Sequence, residues 1–147
     1  MARAKRASRR RVAEAPANLQ RLLLDTHVWL WWQSDHRRLG PTTRNAIAEA
    51  HDVYFSAASA WEISIKISLG KLRLPRGADI ESELQRDGFL PLPIDMGHAK
   101  AFAALPNIHR DPFDRMLIAQ ATVEGLTLAT ADEALARYAI PLLRASE

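Results

Sequence analysis

The stretch DPFDRMLIAQATVEGLTLATAD, residues 111–132, reads as a helix followed by a strand, and the lengths of the two dictate an architecture. Asp111 stands as N-cap and Pro112 occupies the first helical position, where its missing N–H costs nothing. Asp114 falls at the third position, where a carboxylate reaches back to the cap. The helix runs to about Glu124 and stops at Gly125, Leu126 to Thr130 form an apolar strand, and Ala131-Asp132-Glu133 start another helix. From Asp114 the helix descends about 11 residues at 1.5 Å each, roughly 16 Å, and the strand climbs back about 5–6 residues at 3.3 Å. Asp114 and Asp132 therefore reach the same end of the sheet.

Working outward, Leu22 to Leu24 are a short buried strand that ends at Asp25-Thr26 and gives way to a helix through Val28-Trp29-Leu30-Trp31-Trp32. Pro41-Thr42-Thr43 open a second helix through Ala50, and Val53 to Ser56 form a second strand. Leu90 to Ile94 read as a third strand, which Pro91 and Pro93 confine to a sheet edge. Helical segments flank it at about 79–87 and 96–105, and Ile140 to Leu143 make a final strand. Alternating β and α elements with short connections give an α/β fold, a mostly parallel sheet with helices on both faces. The segment Trp61 to Leu69 is ambiguous. Trp61, Ile63, Ile65, Ile67 and Leu69 alternate strictly with polar residues, which is strand periodicity, yet a helix also stacks Trp61, Ile65 and Leu69 and pairs Glu62 with Lys66 at i,i+4.

At 147 residues, with 48% apolar and 25% charged side chains, the chain suits one globular domain, expected over residues 21–147. With no cysteine, disulfides, zinc–thiolate sites, iron–sulfur clusters and thiol nucleophiles are excluded. The longest unbroken apolar runs, such as Val28 to Trp32, are five residues, far short of the ~20 that cross a bilayer. No apolar region follows the charged start, so no membrane and a cytoplasmic location are expected. Much of the net charge of +3 sits in residues 1–20, where Arg3, Lys5, Arg6, Arg9, Arg10 and Arg11 face Glu14 alone. These residues read as a basic, disordered extension or an over-extended start, on a domain that is otherwise slightly acidic.

In a parallel sheet the carboxyl ends of the strands share one edge, where open α/β sheets place their ligands. Asp25, Asp114 and Asp132 all reach that edge. Taken singly, Asp25 and Asp132 read as N-caps, Asp114 as a favourable charge in a first helical turn, and Glu62 as a solvated partner of Lys66. Together, unpaired carboxylates at one edge repel one another and resist ionisation unless a cation is present. Hard oxygen ligands favour magnesium or manganese over zinc.

Four segments occur in order: LLLDTHVWLWW at 22–32, SAASAWEISIKISLGKL at 56–72, HRDPFDRMLIAQA at 109–121 and TLATAD at 127–132. Together they resemble a PIN-domain ribonuclease of the VapC toxin type, from Leu22 to Leu143. The resemblance implies a three-layer sandwich with strand order 3-2-1-4-5, a helical Trp61 segment, and Glu62 as a fourth acid beside Asp25, Asp114 and Asp132. It implies Thr130 beside them, a hydroxyl for a metal-bound water, and Mg2+ or Mn2+ as cofactor. Implied too are hydrolysis of RNA to 5′-phosphate and 3′-hydroxyl ends, inhibition by a VapB-type antitoxin, and a homodimer or larger toxin–antitoxin assembly. Similar toxins begin almost at the first strand, so residues 1–20 depart from the pattern.

Rival readings have weaker support. Among five histidines, His27 and His109 adjoin the acids, whereas His36, His51 and His98 lie in segments with no evident link to that edge. Arg110 and Arg115 flank the third acid and suit either phosphate or local acids. Trp29, Trp31 and Trp32 suit core or interface packing ahead of base stacking. A PIN-type nuclease of RNA processing keeps the same chemistry. A metal-dependent phosphatase-like hydrolase usually has a second aspartate where this chain has His27, and a binding module would not retain the acids.

Overall fold

Leu22, Leu23 and Leu24 are fully buried because β1 (Arg21–Leu24) is the central strand of its sheet. In this computed structural model residues 20–75 and 78–147 are described, so residues 1–19 of the expected basic extension lie outside the described residues. Around β1 run β2 (Asp52–Ser56), β3 (Leu90–Leu92), β4 (Thr127–Thr130) and β5 (Leu142–Arg144), in the order 3-2-1-4-5. Every neighbouring pair is parallel, so the sheet is wholly parallel.

The side-chain alternation of β1 divides the core in two. Leu22 and Leu24 pack with Val53, Phe55 and Ala129 against Val28, Trp29 and Trp32 of α1 (Thr26–Ser34) and Ile47 of α2 (Pro41–Glu49). Leu23 faces the other way with Leu92 and Leu128. Leu117 and Ile118 of α6 (Pro112–Glu124) cover them. Helices α3 (Ala57–Ser68), α4 (Ile80–Asp87) and α5 (Met96–Ala103) complete a three-layer sandwich. Among the described residues no helix is long and apolar enough to cross a membrane.

The ambiguous segment is helical. Ser56 caps α3 by accepting from Ala58 N, and the buried set Ala58, Ser59, Glu62 and Ile63 is spaced for one helical face. The alternating apolar residues mislead because Trp61 and Leu69 are exposed, at 61% and 62%. Other details also differ from expectation: β3 ends at Leu92, short of the expected Ile94. Asp111 caps α6 by accepting from Phe113 N, but Asp114 turns to a cleft instead of back to the cap. The helix expected after Ala131 is a five-residue 3₁₀ turn, Glu133–Arg137, with Asp132 as its cap. The last strand begins at Leu142, after Pro141, which has no N–H to give and contributes its carbonyl to Leu128 N.

Helix α2 lacks a side-chain cap, and Glu147 O accepts from Thr42 N at 2.8 Å and Thr43 N at 3.2 Å in its place. This depends on Gly40, where an added Cβ would lie 2.2 Å from Glu147 O. Gly40→Ala should displace residues 146–147 and cost about 1–3 kcal/mol. Chemical denaturation of both proteins tests this, and coincident unfolding curves would refute it.

Candidate metal centre

Parallel β1 and β4 end side by side, and each hands its chain to an acid. Asp25 follows β1 as the cap of α1, its Oδ1 accepting from Val28 N at 2.8 Å and its Oδ2 from Ala131 N at 3.2 Å. Both oxygens are thus held, and the residue is 4% exposed. Burial pushes its pKa up, while hydrogen bonds from Thr130, Val28 N and Ala131 N oppose the rise. Capping and participation in the site are therefore two uses of one carboxylate.

Glu62 comes in from α3, 9% exposed, with the Thr26 hydroxyl donating to Oε1 at 2.7 Å and Lys66 Nζ 3.2 Å from Oε2. The Glu62–Lys66 pair expected of a solvated face is present, but it lies at the rim of a cleft that Glu62 lines. Asp132 caps the 3₁₀ turn through Oδ1, to Ala134 N at 2.9 Å, and leaves Oδ2 against His109 Nε2 at 2.8 Å. His109 Nδ1 accepts from Asp111 N at 3.0 Å, so in the neutral ring Nε2 carries the proton and donates to Asp132. Thr130 links the strand end to both aspartates, its Oγ1 accepting from Asp132 N at 3.0 Å and its hydroxyl reaching Asp25.

Asp114 is the exception to this pattern of support. No hydrogen bond reaches its carboxylate from the described residues, and the nearby basic side chain is the His109 ring, whose Nε2 lies 3.6 Å from Oδ2. Its pKa is raised to about 7, first by burial and then by repulsion from Asp111 and Asp25, with His109 opposing and Glu62 adding to the rise. Asp25, Glu62, Asp114 and Asp132 line one cleft of 510 Å³, together with Asp111, His109, His27, Trp31 and Arg38. One ligand atom from each of His109, Asp114 and Asp132 lies within 4.8 Å of the others. The donor set is mostly anionic carboxylate oxygen with one imidazole nitrogen, and its acids outnumber the basic groups Arg38 and Lys66 near them, which fits a divalent cation.

Similarity to known proteins follows the same residues. The profile of the PIN domain matches residues 22–141. The chain belongs to the PIN-domain family. "Ribonuclease VapC22" of Mycobacterium tuberculosis is 29% identical over 123 residues, 82% of this chain and 93% of that one. Solved structures that share the PIN fold include VapBC2 from Rickettsia felis bound to a DNA fragment from its promoter, with a TM-score of 0.66 at 14% identity over 85% of this chain and 98% of that one. DNA-bound VapBC from Salmonella typhimurium is another, with a TM-score of 0.64 at 18% identity over 86% and 98%.

Within this PIN domain, all four acids and Thr130 expected from the sequence meet at the carboxyl edge of the sheet. His27 lines the same cleft. Arg115 does not grip ligand there: it is buried and donates to Pro106 O and His109 O, holding the segment before α6. Trp29 and Trp32 are core, as expected, whereas Trp31 is a wall of the cleft. His36, read from sequence as remote, stacks on Trp31 with centroids 5.5 Å apart. Sequence reasoning missed Thr26 and Ser59. Their hydroxyls lie 2.9 Å apart beside Glu62, and the only local signal was the Asp25-Thr26 pair at the strand end.

Proposed function

We propose that this chain is a divalent-cation-dependent endoribonuclease and the toxin of a VapBC-type toxin–antitoxin pair, with Asp25, Glu62, Asp114 and Asp132 as its metal-holding acids. The observation that carries the reading is Asp114: a partly buried carboxylate among other acids, with no hydrogen-bond donor of its own among the described residues, is stabilised as an anion by a bound cation. Mg2+ or Mn2+ suits the oxygen-dominated set. The chemistry such an ion supplies is Lewis-acid neutralisation of phosphoryl charge and a nucleophilic water at neutral pH.

The chain's own residues do the positioning. Val28 N and Ala131 N aim Asp25, the Thr26 hydroxyl aims Glu62, and the His109 N–H aims Asp132, so three of the four carboxylates are oriented before any ligand arrives. Thr130 ties Asp25 to Asp132 and suits a nearby water as a further contact. In the hydrolysis, a water oxygen bonds to phosphorus, the P–O3′ bond breaks and the 3′ oxygen takes a proton, leaving 5′-phosphate and 3′-hydroxyl ends.

The antitoxin reading is supported by the relatives, which include a VapC ribonuclease and VapBC complexes. An acidic cleft suits a cationic antitoxin side chain, and Trp61, Ile67 and Leu69, exposed along and just beyond α3, suit self-association. RNA incubated with the purified protein in Mn2+ should be cut and carry 5′-phosphate ends, and EDTA should abolish cutting. RNA left intact in Mn2+, or cleavage undiminished by EDTA, would refute the reading.

A further inference from the structure

The cleft is so acidic that it repels a polyanion, yet a second cavity opening beside it carries the opposite charge. This cavity, of 390 Å³, shares Trp31, Arg38, Ala131 and Asp132 with the cleft and adds Arg37 and Arg144. Its acids are Asp132 and Glu133. None of the three exposed arginines forms an ion pair among the described residues, so their charge is available to a ligand.

The arginines are held by ordered backbone. Asp35, at φ 54°, closes α1, and buried Arg44 staples the loop that follows: its Nε donates to Leu39 O at 3.0 Å, Nη2 to His36 O, and Nη1 lies 2.8 Å from Asp35 Oδ1. Arg38 N donates to His36 Nδ1 at 3.1 Å, and the Arg38 guanidinium lies 5.8 Å from the Trp31 ring centroid. Arg144 faces them from β5, paired in register with Thr130, and its carbonyl accepts from Thr43 Oγ1. Arg144 is thus placed across the strand from the residue that leads into Asp132.

We propose that Arg37, Arg38 and Arg144 form a phosphate site for the nucleotide adjoining the cleavage point, so that one RNA strand spans both cavities. This rests on the nuclease reading above. A ligand that repeats an anion along its length matches the alternation: one phosphodiester meets the cation-holding acids while its neighbour meets guanidinium groups, which bind phosphate oxygens in bidentate fashion. Contacts of this kind set register on the strand and carry no base sequence. Arg38, which lines both cavities, marks the crossing between them.

The test compares wild type with Arg37→Ala/Arg144→Ala and Arg37→Lys/Arg144→Lys proteins, titrating each in EDTA with a labelled single-stranded RNA dodecamer across a salt series. The alanine pair should bind about tenfold more weakly, with the slope of log K against log salt shallower by about 1.4 for two lost phosphate contacts. The lysine pair should retain most of the slope, and Mn2+ affinity should match wild type in both. Unchanged RNA affinity and slope in the alanine pair would overturn the phosphate site while leaving Mn2+-dependent cleavage by wild type intact. A wild type that takes up Mn2+ but neither binds nor cuts RNA would overturn the nuclease reading and this site together. Polyglutamate binding wild type as tightly as RNA does would overturn the site's assignment to a nucleic acid strand.

Discussion

Asp114→Asn should raise the melting temperature of the metal-free protein at pH 7 while lowering RNA cleavage at least about a thousandfold, a loss of about 4 kcal/mol in transition-state stabilisation. The two effects have one cause. Asp114 sits among Asp111, Asp25 and Glu62 without a donor, and the amide removes a repulsion that the carboxylate sheds only by taking up a proton or a cation. Asp25→Asn should match the catalytic loss and lack the stabilisation. Its two oxygens accept from Val28 N and Ala131 N, and an amide nitrogen facing either donor leaves that N–H unpaired, at a cost of about 1–3 kcal/mol. Thermal melts in EDTA and cleavage assays in Mn2+, run on both variants, separate the cases. Equal destabilisation by the two substitutions would contradict the account of Asp114, and near wild-type cleavage by either would contradict its catalytic half.

Metal-free stability and Mn2+ affinity should move in opposite directions with pH. An acid whose folded pKa is raised binds its proton more tightly in the folded chain, so its stabilising contribution is complete below the unfolded value. For Asp114 that contribution is lost as pH climbs from 3.8 to about 7. After allowance for solvent screening the loss is about 1–2 kcal/mol, and it should be absent from Asp114→Asn. Cation binding needs the same proton gone, so affinity should rise about tenfold per pH unit below 7 and level off above it. Denaturant melts in EDTA and calorimetric titrations between pH 5 and 8 read both trends. Mn2+ affinity that stays flat across this range would show that Asp114 does not gate the site.

The edge that gathers the acids was legible because helix and strand rises are constant: the distance from Asp114 down α6 and back up β4 to Asp132 follows from counting residues. The strand order and the helical state of α3 came from resemblance. Periodicity alone could not assign α3, because Trp61 and Leu69 are exposed and break the link between apolar character and burial. The supporting groups were harder to see. The Thr26 hydroxyl and the His109 ring act across the sheet edge on partners 36 and 23 residues away along the chain, and the neighbouring cavity gathers Arg37 and Arg38 with Arg144 from the far end of the sequence. Contacts of that kind leave no spacing signal, and His36 read as remote for a different reason: it lies just past the end of α1, where the left-handed turn at Asp35 folds it back onto Trp31.

Calorimetric titration of the metal-free protein with Mn2+ at pH 7.5 is the most direct measurement of whether these carboxylates form a cation site. Saturable uptake by wild type that disappears in Asp114→Asn is the expected result. No uptake by wild type, or the same uptake by the variant, would contradict it.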